Sequence, residues 1–320
     1  MILSAFFPGV STRDGLPQAL DWLVQCQTKH ATCAADTDTH WKPKRLLRCA
    51  DGLVRVLDTT SERPRGPYAI LSHRWGSNPN FIVLTADNTS AFSKGVSLCS
   101  LLQNFRDVLD IVQQLGIVYL WIDSLCILHS EIASVYTNCL VNIATHNPST
   151  PKDSAFSTPR KNQDLRRDPS IMWHGFCTTS KLYSLYDWTL NGHGALRSSR
   201  LSTRAWVFQE CLLSPRILHV GSSQMFWECN ELALASECYP LGIPDKVRHA
   251  YGHRPFNISA RELRPRRDAD GHNTRPEPYD DAWKWMIGEY ASCQLTYSPK
   301  DKQVALAGIT RKLAELWHDD

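Results

Sequence analysis

The 320-residue sequence lacks the features that identify several large classes of protein. No apolar run approaches the length that a helix needs to cross a bilayer, so we expect no membrane partner. The net charge of +3 is too small to indicate nucleic acid as a partner. Neither a Walker A motif nor a G-x-G-x-x-G motif occurs, which removes the commonest nucleotide-binding signatures. No internal repeat is found either.

Cysteine, in contrast, is abundant, with eleven residues and therefore an odd number. Several lie inside apolar runs, where a cysteine behaves as a small hydrophobic residue; examples are Cys126, Cys139 and Cys211. No C-x-x-C pair occurs, and this usage is typical of a reducing compartment. The N-terminal segment MILSAFFPGVSTRDG has no basic start and no small-residue cleavage site. We therefore predict a cytoplasmic protein.

Two kinds of cysteine chemistry are alternatives to simple packing. Cys229, Cys238, His249 and His253 suggest a zinc site, because the two histidines have H-x₃-H spacing. The C-x₈-C spacing of the cysteines is wider than structural zinc sites normally use, and we predict no metal site. Cys126 could act as a thiol nucleophile, but its apolar neighbours favour an inert buried thiol.

Hydrophobic patterns predict an α/β fold. Residues 16–29 and 97–115 carry apolar residues at helical spacing. Residues 68–72 and 117–122 are continuous runs of β-forming residues, typical of strands that are buried on both faces of a parallel sheet. Strand, helix and strand in this order predict one βαβ unit. We expect a mostly parallel sheet flanked by helices, with an added hairpin and C-terminal helices.

Local signals predict the remaining elements. These are a hairpin over 44–58 around Asp51-Gly52, a loop over 59–67, a helix over 130–144, a loop over 147–170, a helix over 202–212 capped by Ser202 or Thr203, a hairpin over 217–229, an exposed loop over 252–279, a helix from Asp280 to about Cys293 and a last helix after Ser298.

Polar residues follow both predicted parallel strands, and ligands of open parallel sheets bind beyond these strand ends. Asp123 interrupts an apolar run, so it needs a partner or a task, and Arg74 or His73 is the predicted partner. An ion pair that only fixes the loop is the alternative to a ligand role. The candidate pocket residues from these two segments are Ser72, His73, Arg74, Trp75, Gly76, Asp123 and Ser124.

A third segment, TRAWVFQE over 203–210, adds an aromatic residue and a carboxylate. Trp206 and Glu210 are four residues apart and share one face of a helix. A glutamate beside an aromatic ring in a partly dry cleft can have a raised pKa or bind a ribose hydroxyl. Arg204 is expected to point elsewhere. The alternative is a helix with Trp206 in the core and Glu210 in solvent.

Together, YAILSHRWG, YLWIDSLCI and TRAWVFQECLLSPRIL resemble, in order and spacing, the three blocks of the fungal heterokaryon-incompatibility (HET) domain. ALDWLVQCQTKHATC and PKRLLRCADGLVRVLDT are similar to the family's N-terminal lead-in, and LTYSPKDKQVALAGITRKL to the segment that follows the domain. The resemblance implies a lead-in over 1–60, a HET core over 61–240, an Arg- and Pro-rich loop over 241–279 and a C-terminal helical segment over 280–320.

The resemblance implies a role in non-self recognition between fungal hyphae that leads to growth arrest or cell death, through protein partners or self-association. The family's remote likeness to TIR domains implies a flavodoxin-like core. On that likeness, Glu210 corresponds to the catalytic glutamate of NAD-cleaving TIR enzymes, with NAD as substrate. Arg74 and Asp123 would then shape the pocket, and Trp75 or Trp206 would stack on a ring. No cofactor is otherwise implied.

One segment departs from the family pattern. After Ile127 the family continues with a glutamine, an acidic stretch and a tryptophan, whereas this chain continues LHSEIASVYTNCLVNIATHN. His129 stands near the usual glutamine. A shortened family member and a gap in the coding sequence are both compatible with this difference. Either one alters the loop beside the predicted pocket.

Overall fold

The computed structural model describes residues 11–35, 40–76, 82–127, 131–157, 196, 199–222, 224–232, 234–237, 239–242, 266–267, 273–274, 279–294, 306–311 and 314. Within these ranges, helices α1 to α9 are Leu16–Lys29, Ala31–Ala35, Thr59–Glu62, Ala86–Lys94, Gln103–Gln114, Asp123–Cys126, Ile132–Thr137, Ala205–Leu213 and Tyr279–Ser292. Strands β1 to β11 are Arg45–Ala50, Leu53–Asp58, Tyr68–Ser72, Val96–Ser97, Tyr119–Ile122, Val141–Thr145, Arg216–Val220, Met225–Cys229, Ala235–Ser236, Arg266–Arg267 and Asn273–Thr274.

The main sheet has a parallel centre and antiparallel flanks. Its strand order is β4-β2-β1-β5-β3-β6-β7-β8-β9. The four central strands, β5, β3, β6 and β7, are parallel, while the pairs outside them are antiparallel. Along the chain these four strands take the places second, first, third and fourth, which is the flavodoxin-type order. The predicted α/β class and the pairing of β3 with β5 are confirmed.

The central strands are buried on both faces. All five residues of β3 are buried, and so are all five of β6. Helix α5 covers one side of the sheet with an apolar stripe that includes Phe105, Val108 and Ile111. Gly116 follows the end of helix α5 with φ 71°, a left-handed conformation that glycine adopts without a Cβ clash.

The outer hairpins and the first helix follow their sequence signals. Asp51 and Gly52 have φ values of 52° and 72°, as a type I′ turn between β1 and β2 requires. Strands β7 and β8 form the second predicted hairpin. Helix α1 has the predicted bounds, and its Trp22 Nε1 donates to the Pro240 carbonyl at 2.8 Å. These contacts pack α1 against the far end of the sheet.

Several predicted elements are wrong. The predicted helix over 130–144 is helix α7 followed by strand β6, because Val141, Ile143 and Thr145 alternate with residues on the other face of a fully buried strand. The helix predicted over 97–115 begins only at Gln103, since Val96–Ser97 pairs with β2 and a 3₁₀ turn follows.

Two further differences concern helix starts. Residues 59–62 form helix α3 rather than a loop, because the Asp58 carboxylate accepts from the Thr60 amide at 2.9 Å and caps the turn. Helix α8 begins after Arg204, which has no side-chain capping bond, and not after Ser202 or Thr203.

A small second core joins helix α8 to the C-terminal part of the chain. Ala205 and Phe208 of α8 pack with Met286 and Tyr290 of α9 and with Ile309. The predicted loop over 147–170 lies outside the described residues from position 158 onward, and the Arg- and Pro-rich loop over 241–279 lies almost entirely outside them. Among the helices that the structure describes, none combines the length and the apolar character that a membrane crossing requires.

Candidate ligand site at the carboxyl edge of the parallel strands

The candidate site lies where the strand order reverses direction. In a flavodoxin-type sheet the crevice opens beside the first strand, here β3, and the third strand, here β6. Ser72 and His73 leave β3 at this edge, and Asp123 directly follows β5. Helix α8 brings Glu210 and Arg204 to the same place. The three predicted segments therefore meet at one edge of the sheet.

Asp123 is held by the two strand exits. Trp75 Nε1 donates to Asp123 Oδ2 at 2.7 Å, and the Ser124 amide donates to Asp123 Oδ1 at 2.6 Å. His73 Nδ1 lies 3.8 Å from Asp123 Oδ1. Arg74, the other predicted partner, instead donates to the Ser149 carbonyl at 3.4 Å. The carboxylate thus faces an indole and a histidine.

His73 is a buried residue of the core. Its ring meets the Phe105 ring edge-on, with centroids 5.2 Å apart. Burial lowers the pKa of His73, although the Asp123 carboxylate acts in the opposite direction. The imidazole is therefore neutral at pH 7. Its role is to pack α5 against β3 and to support Asp123.

Glu210 is the group with the most altered acidity at this edge. Burial raises the pKa of the Glu210 carboxyl to about 7, with a smaller rise from Asp123. The Ser72 hydroxyl, the Arg204 guanidinium and the Tyr136 hydroxyl lower the pKa but do not cancel the rise. Glu210 keeps some exposure to solvent. A carboxyl that titrates near neutral pH is suited to general acid–base chemistry.

Tyr136 is a site residue that the sequence did not indicate. Its ring is buried and meets the Trp121 ring edge-on, with centroids 5.8 Å apart. Burial raises the pKa of Tyr136 well above its ordinary value, and the nearby charges of Glu210 and Asp123 raise it further. The phenol is therefore protonated and can donate to the Glu210 carboxyl. Its segment lay in the predicted helix, but no spacing pointed to this role.

Arg204 lies at the site although it was expected to point elsewhere, and that expectation is wrong. Its Nη1 donates to the His73 carbonyl at 2.7 Å, and its charge lowers the pKa of Glu210. Arg204 is the residue before α8 and has extended backbone angles, φ −88° and ψ 129°. Helical spacing, on which the expectation relied, therefore does not apply to it.

The other predicted pocket residues have mainly structural surroundings. Trp206 packs in the second core, on the side of α8 that meets α9. Gly76 has φ 83°, and a Cβ there would lie 3.4 Å from Thr150 Cγ2. Ser124 is buried and its carbonyl accepts from the Leu84 amide at 2.9 Å. Gly76 and Ser124 thus fix the backbone near the site, while Trp206 belongs to the second core.

A chain of polar side chains continues from the end of β6 into the core. Ser199 Oγ lies 2.7 Å from His146 Nδ1, and His146 Nε2 lies 2.9 Å from His219 Nδ1. His219 Nε2 is 3.5 Å from Glu228 Oε1, and both side chains are fully buried. Burial lowers the pKa of His146 well below its ordinary value. Sequence spacing did not indicate this chain, since its members come from four separate segments.

These features define a doubly wound α/β protein with two carboxylates, an arginine and a buried tyrosine at the switch point of its sheet. The family model described as heterokaryon incompatibility protein (HET) matches residues 68–210, from the first residue of β3 to Glu210. Residues 68–210 therefore match the HET domain, as the sequence resemblance predicted. No curated protein matches the chain, and no solved structure matches it.

Proposed function

We propose that this chain acts in fungal non-self recognition as a signalling module, through protein partners or self-association, and that its output is growth arrest or cell death. The HET match over residues 68–210 carries the proposal, because it contains the first two sequence blocks and the start of the third, up to Glu210, and these meet at the carboxyl edge. Trp75, Asp123, Arg204 and Glu210 then form one chemical centre of the module rather than separate local contacts.

The test is expression of the full chain from an inducible promoter in a filamentous fungus. Colony extension and uptake of a viability dye are measured against an uninduced culture. We expect arrest and dye uptake on induction. An Asp21→Asn chain is the matched control, because Asp21 is exposed on α1, far along the chain from the site. A fungal protein known to be lethal is expressed in parallel as the positive control. Normal growth of cells that contain as much of this chain as of the lethal protein would contradict the proposal.

The second candidate function is cleavage of NAD, and the acidity of Glu210 favours it. In this reaction the bond between the nicotinamide nitrogen and C1′ of the ribose breaks, and its electron pair stays on the nitrogen. Water then bonds to C1′ and releases a proton. A carboxylate beside C1′ stabilises the oxocarbenium-like transition state, as in glycoside hydrolysis. Glu210 would take this role, with Tyr136 and Arg204 orienting it.

Nicotinamide release from NAD by purified protein tests this candidate. Wild type, Glu210→Gln and Asp21→Asn are compared, in dilute solution and at concentrations that favour self-association. We expect the Glu210 variant to lose at least about a hundredfold in rate while the control keeps it. Release that survives in Glu210→Gln would remove Glu210 from the chemistry. Growth arrest by the same variant in cells would show a signalling output that needs no NAD cleavage.

A further inference from the structure

Four side chains that commonly bind metal ions meet in one cluster away from the site described above. They are Cys26 on α1, His30 just after α1, Cys33 on α2 and Cys229 at the end of β8. Their ligand atoms all lie within 4.8 Å of one another. His30 Nδ1 is 3.3 Å from Cys229 Sγ and 4.0 Å from Cys33 Sγ.

The local structure explains why these four side chains converge. Helix α1 ends at Lys29, and His30 has extended angles, φ −96° and ψ 100°, so the chain turns back. Helix α2 then returns Cys33 to the side of Cys26. On the sheet, Cys229 begins a tight turn in which the Leu232 amide donates to Cys229 Sγ at 3.3 Å. An amide that points at sulfur stabilises a thiolate.

A buried cation already faces this cluster. Arg216 is 3% exposed, and its Nε donates to Cys26 Sγ at 3.2 Å. Its Nη2 donates to the Cys33 carbonyl at 2.8 Å. Within the ranges that the structure describes, no ion pair joins Arg216 to a carboxylate. A buried guanidinium stays charged and needs negative charge nearby, which thiolates supply.

We propose that Cys26, His30, Cys33 and Cys229 bind one Zn²⁺ ion in a closed, tetrahedral Cys₃His site. In a tetrahedron, Zn–S bonds of about 2.3 Å and Zn–N bonds of about 2.0 Å place nitrogen and sulfur about 3.5 Å apart and two sulfurs about 3.8 Å apart. The distances from His30 Nδ1 to the sulfurs of Cys229 and Cys33, 3.3 and 4.0 Å, lie on either side of the first value. Soft thiolates select zinc over magnesium or calcium. Three thiolates and Zn²⁺ carry a net charge of −1, which Arg216 neutralises.

The proposed ion has a structural task. It would fasten α1 and α2 to the end of β8, joining segments that are about 200 residues apart in the chain. Four protein ligands leave no open coordination position, so the site is not catalytic. The prediction of no metal site considered Cys229 only with Cys238, His249 and His253. Those last three residues lie outside the described residues, whereas the partners found here precede the HET domain.

The experiment measures metal in the full chain, purified without a histidine tag under reducing conditions. We expect about one zinc ion per chain when the metal content is measured by inductively coupled plasma mass spectrometry. Exchange with Co²⁺ should give thiolate-to-cobalt charge-transfer absorption and the intense visible bands of tetrahedral cobalt. This spectrum identifies the ligand type in the wild-type chain, so it does not depend on whether any variant folds.

Variants then assign the ligands. Cys33→Ser and Cys229→Ser should each lower zinc content to a small fraction of wild type, and His30→Asn should weaken zinc binding at least tenfold. Cys126→Ser is the control, because Cys126 is also buried but lies at the end of α6, outside the four-residue cluster. The proposal is overturned if zinc-treated wild type retains no metal, if cobalt shows no thiolate absorption, if two of the three cysteines form a disulfide under reducing conditions, or if Cys33→Ser and Cys229→Ser bind zinc like wild type.

Discussion

Trp75 Nε1 lies 2.7 Å from Asp123 Oδ2, so a hydrogen bond ties the exit of β3 to the exit of β5. Through this contact the segment after β3 supplies a donor to the Asp123 carboxylate. The other donor, the Ser124 amide, is the next residue in the chain. The bond links the first sequence block, which contains Trp75, to the second, which contains Asp123, and Arg74 takes no part in it. It thereby fixes the position of the segment after β3 relative to the segment after β5.

Trp75→Phe should lower the free energy of unfolding by about 1–2 kcal/mol, because a bond to a charged acceptor is lost while most of the ring remains. Urea denaturation measures the change. Trp283→Phe is the matched control, since Trp283 packs by its ring in the second core. Equal losses in the two variants would mean that ring packing, and not the bond to Asp123, stabilises the loop.

Glu210 should make stability depend on pH. Its folded-state pKa of about 7 exceeds the ordinary 4.5, so the folded chain binds a proton that the unfolded chain has lost. The contribution is complete below about pH 4.5 and is lost as pH rises through about 7, a fall of at most about 3 kcal/mol. Glu210→Gln should remove this fall, so that the variant exceeds wild type in stability at pH 8.

The measurement is the difference in unfolding free energy between Glu210→Gln and wild type at pH 5, 6, 7 and 8. Taking the difference cancels other titrating groups, among them Glu237, whose pKa is also raised by burial. Asp21→Asn should show no such trend. A difference that stays constant from pH 5 to pH 8 would mean that Glu210 ionises freely in the folded chain.

Arg204→Gln should raise the pKa of Glu210 further, because the guanidinium charge that lowers it is gone. Carbon NMR of the labelled glutamate side chains gives this pKa directly. Arg204→Lys keeps the charge and should return the pKa towards the wild-type value, although it loses the planar fork that bonds the His73 carbonyl. An unchanged pKa in Arg204→Gln would show that Arg204 acts only through that carbonyl.

The same substitution should have opposite effects at two glycines. Gly116 has φ 71°, so Gly116→Ala should destabilise the chain by about 1 kcal/mol through backbone strain. Gly288 lies inside α9 with no atom within 4 Å of an added Cβ, so Gly288→Ala should stabilise by up to about 1 kcal/mol. Thermal or urea unfolding compares them. Equal signs would contradict the assigned backbone conformations.

The strands and helices with strong local patterns could be predicted from the sequence. Helix α1 and strand β3 have their predicted bounds, because apolar spacing in one and a continuous apolar run in the other leave few alternatives. Strand β6 was missed, since LVNIA fits a buried helix as well as a buried strand. Only the neighbouring strands β3 and β7, each more than 70 residues away, decide in favour of the strand.

The site shows the same limit. Asp123 could be singled out because it breaks an apolar run at the end of a strand. Glu210 was singled out by its four-residue spacing from Trp206 and by the likeness to TIR domains. Arg204 and Tyr136 could not be singled out, since their roles depend on a backbone kink before α8 and on how α7 packs beside it. The cysteine cluster was hidden for another reason. Cys26, His30 and Cys33 are close in sequence, but their fourth member, Cys229, is identified only by the folded sheet.

The two outermost strands of the sheet, β4 and β9, are each two residues long. Each of these two border strands therefore offers only a few backbone groups to a strand from another molecule. The sheet is in this sense protected against growing into a larger one. Short border strands are one of the ways in which natural sheets limit pairing from edge to edge.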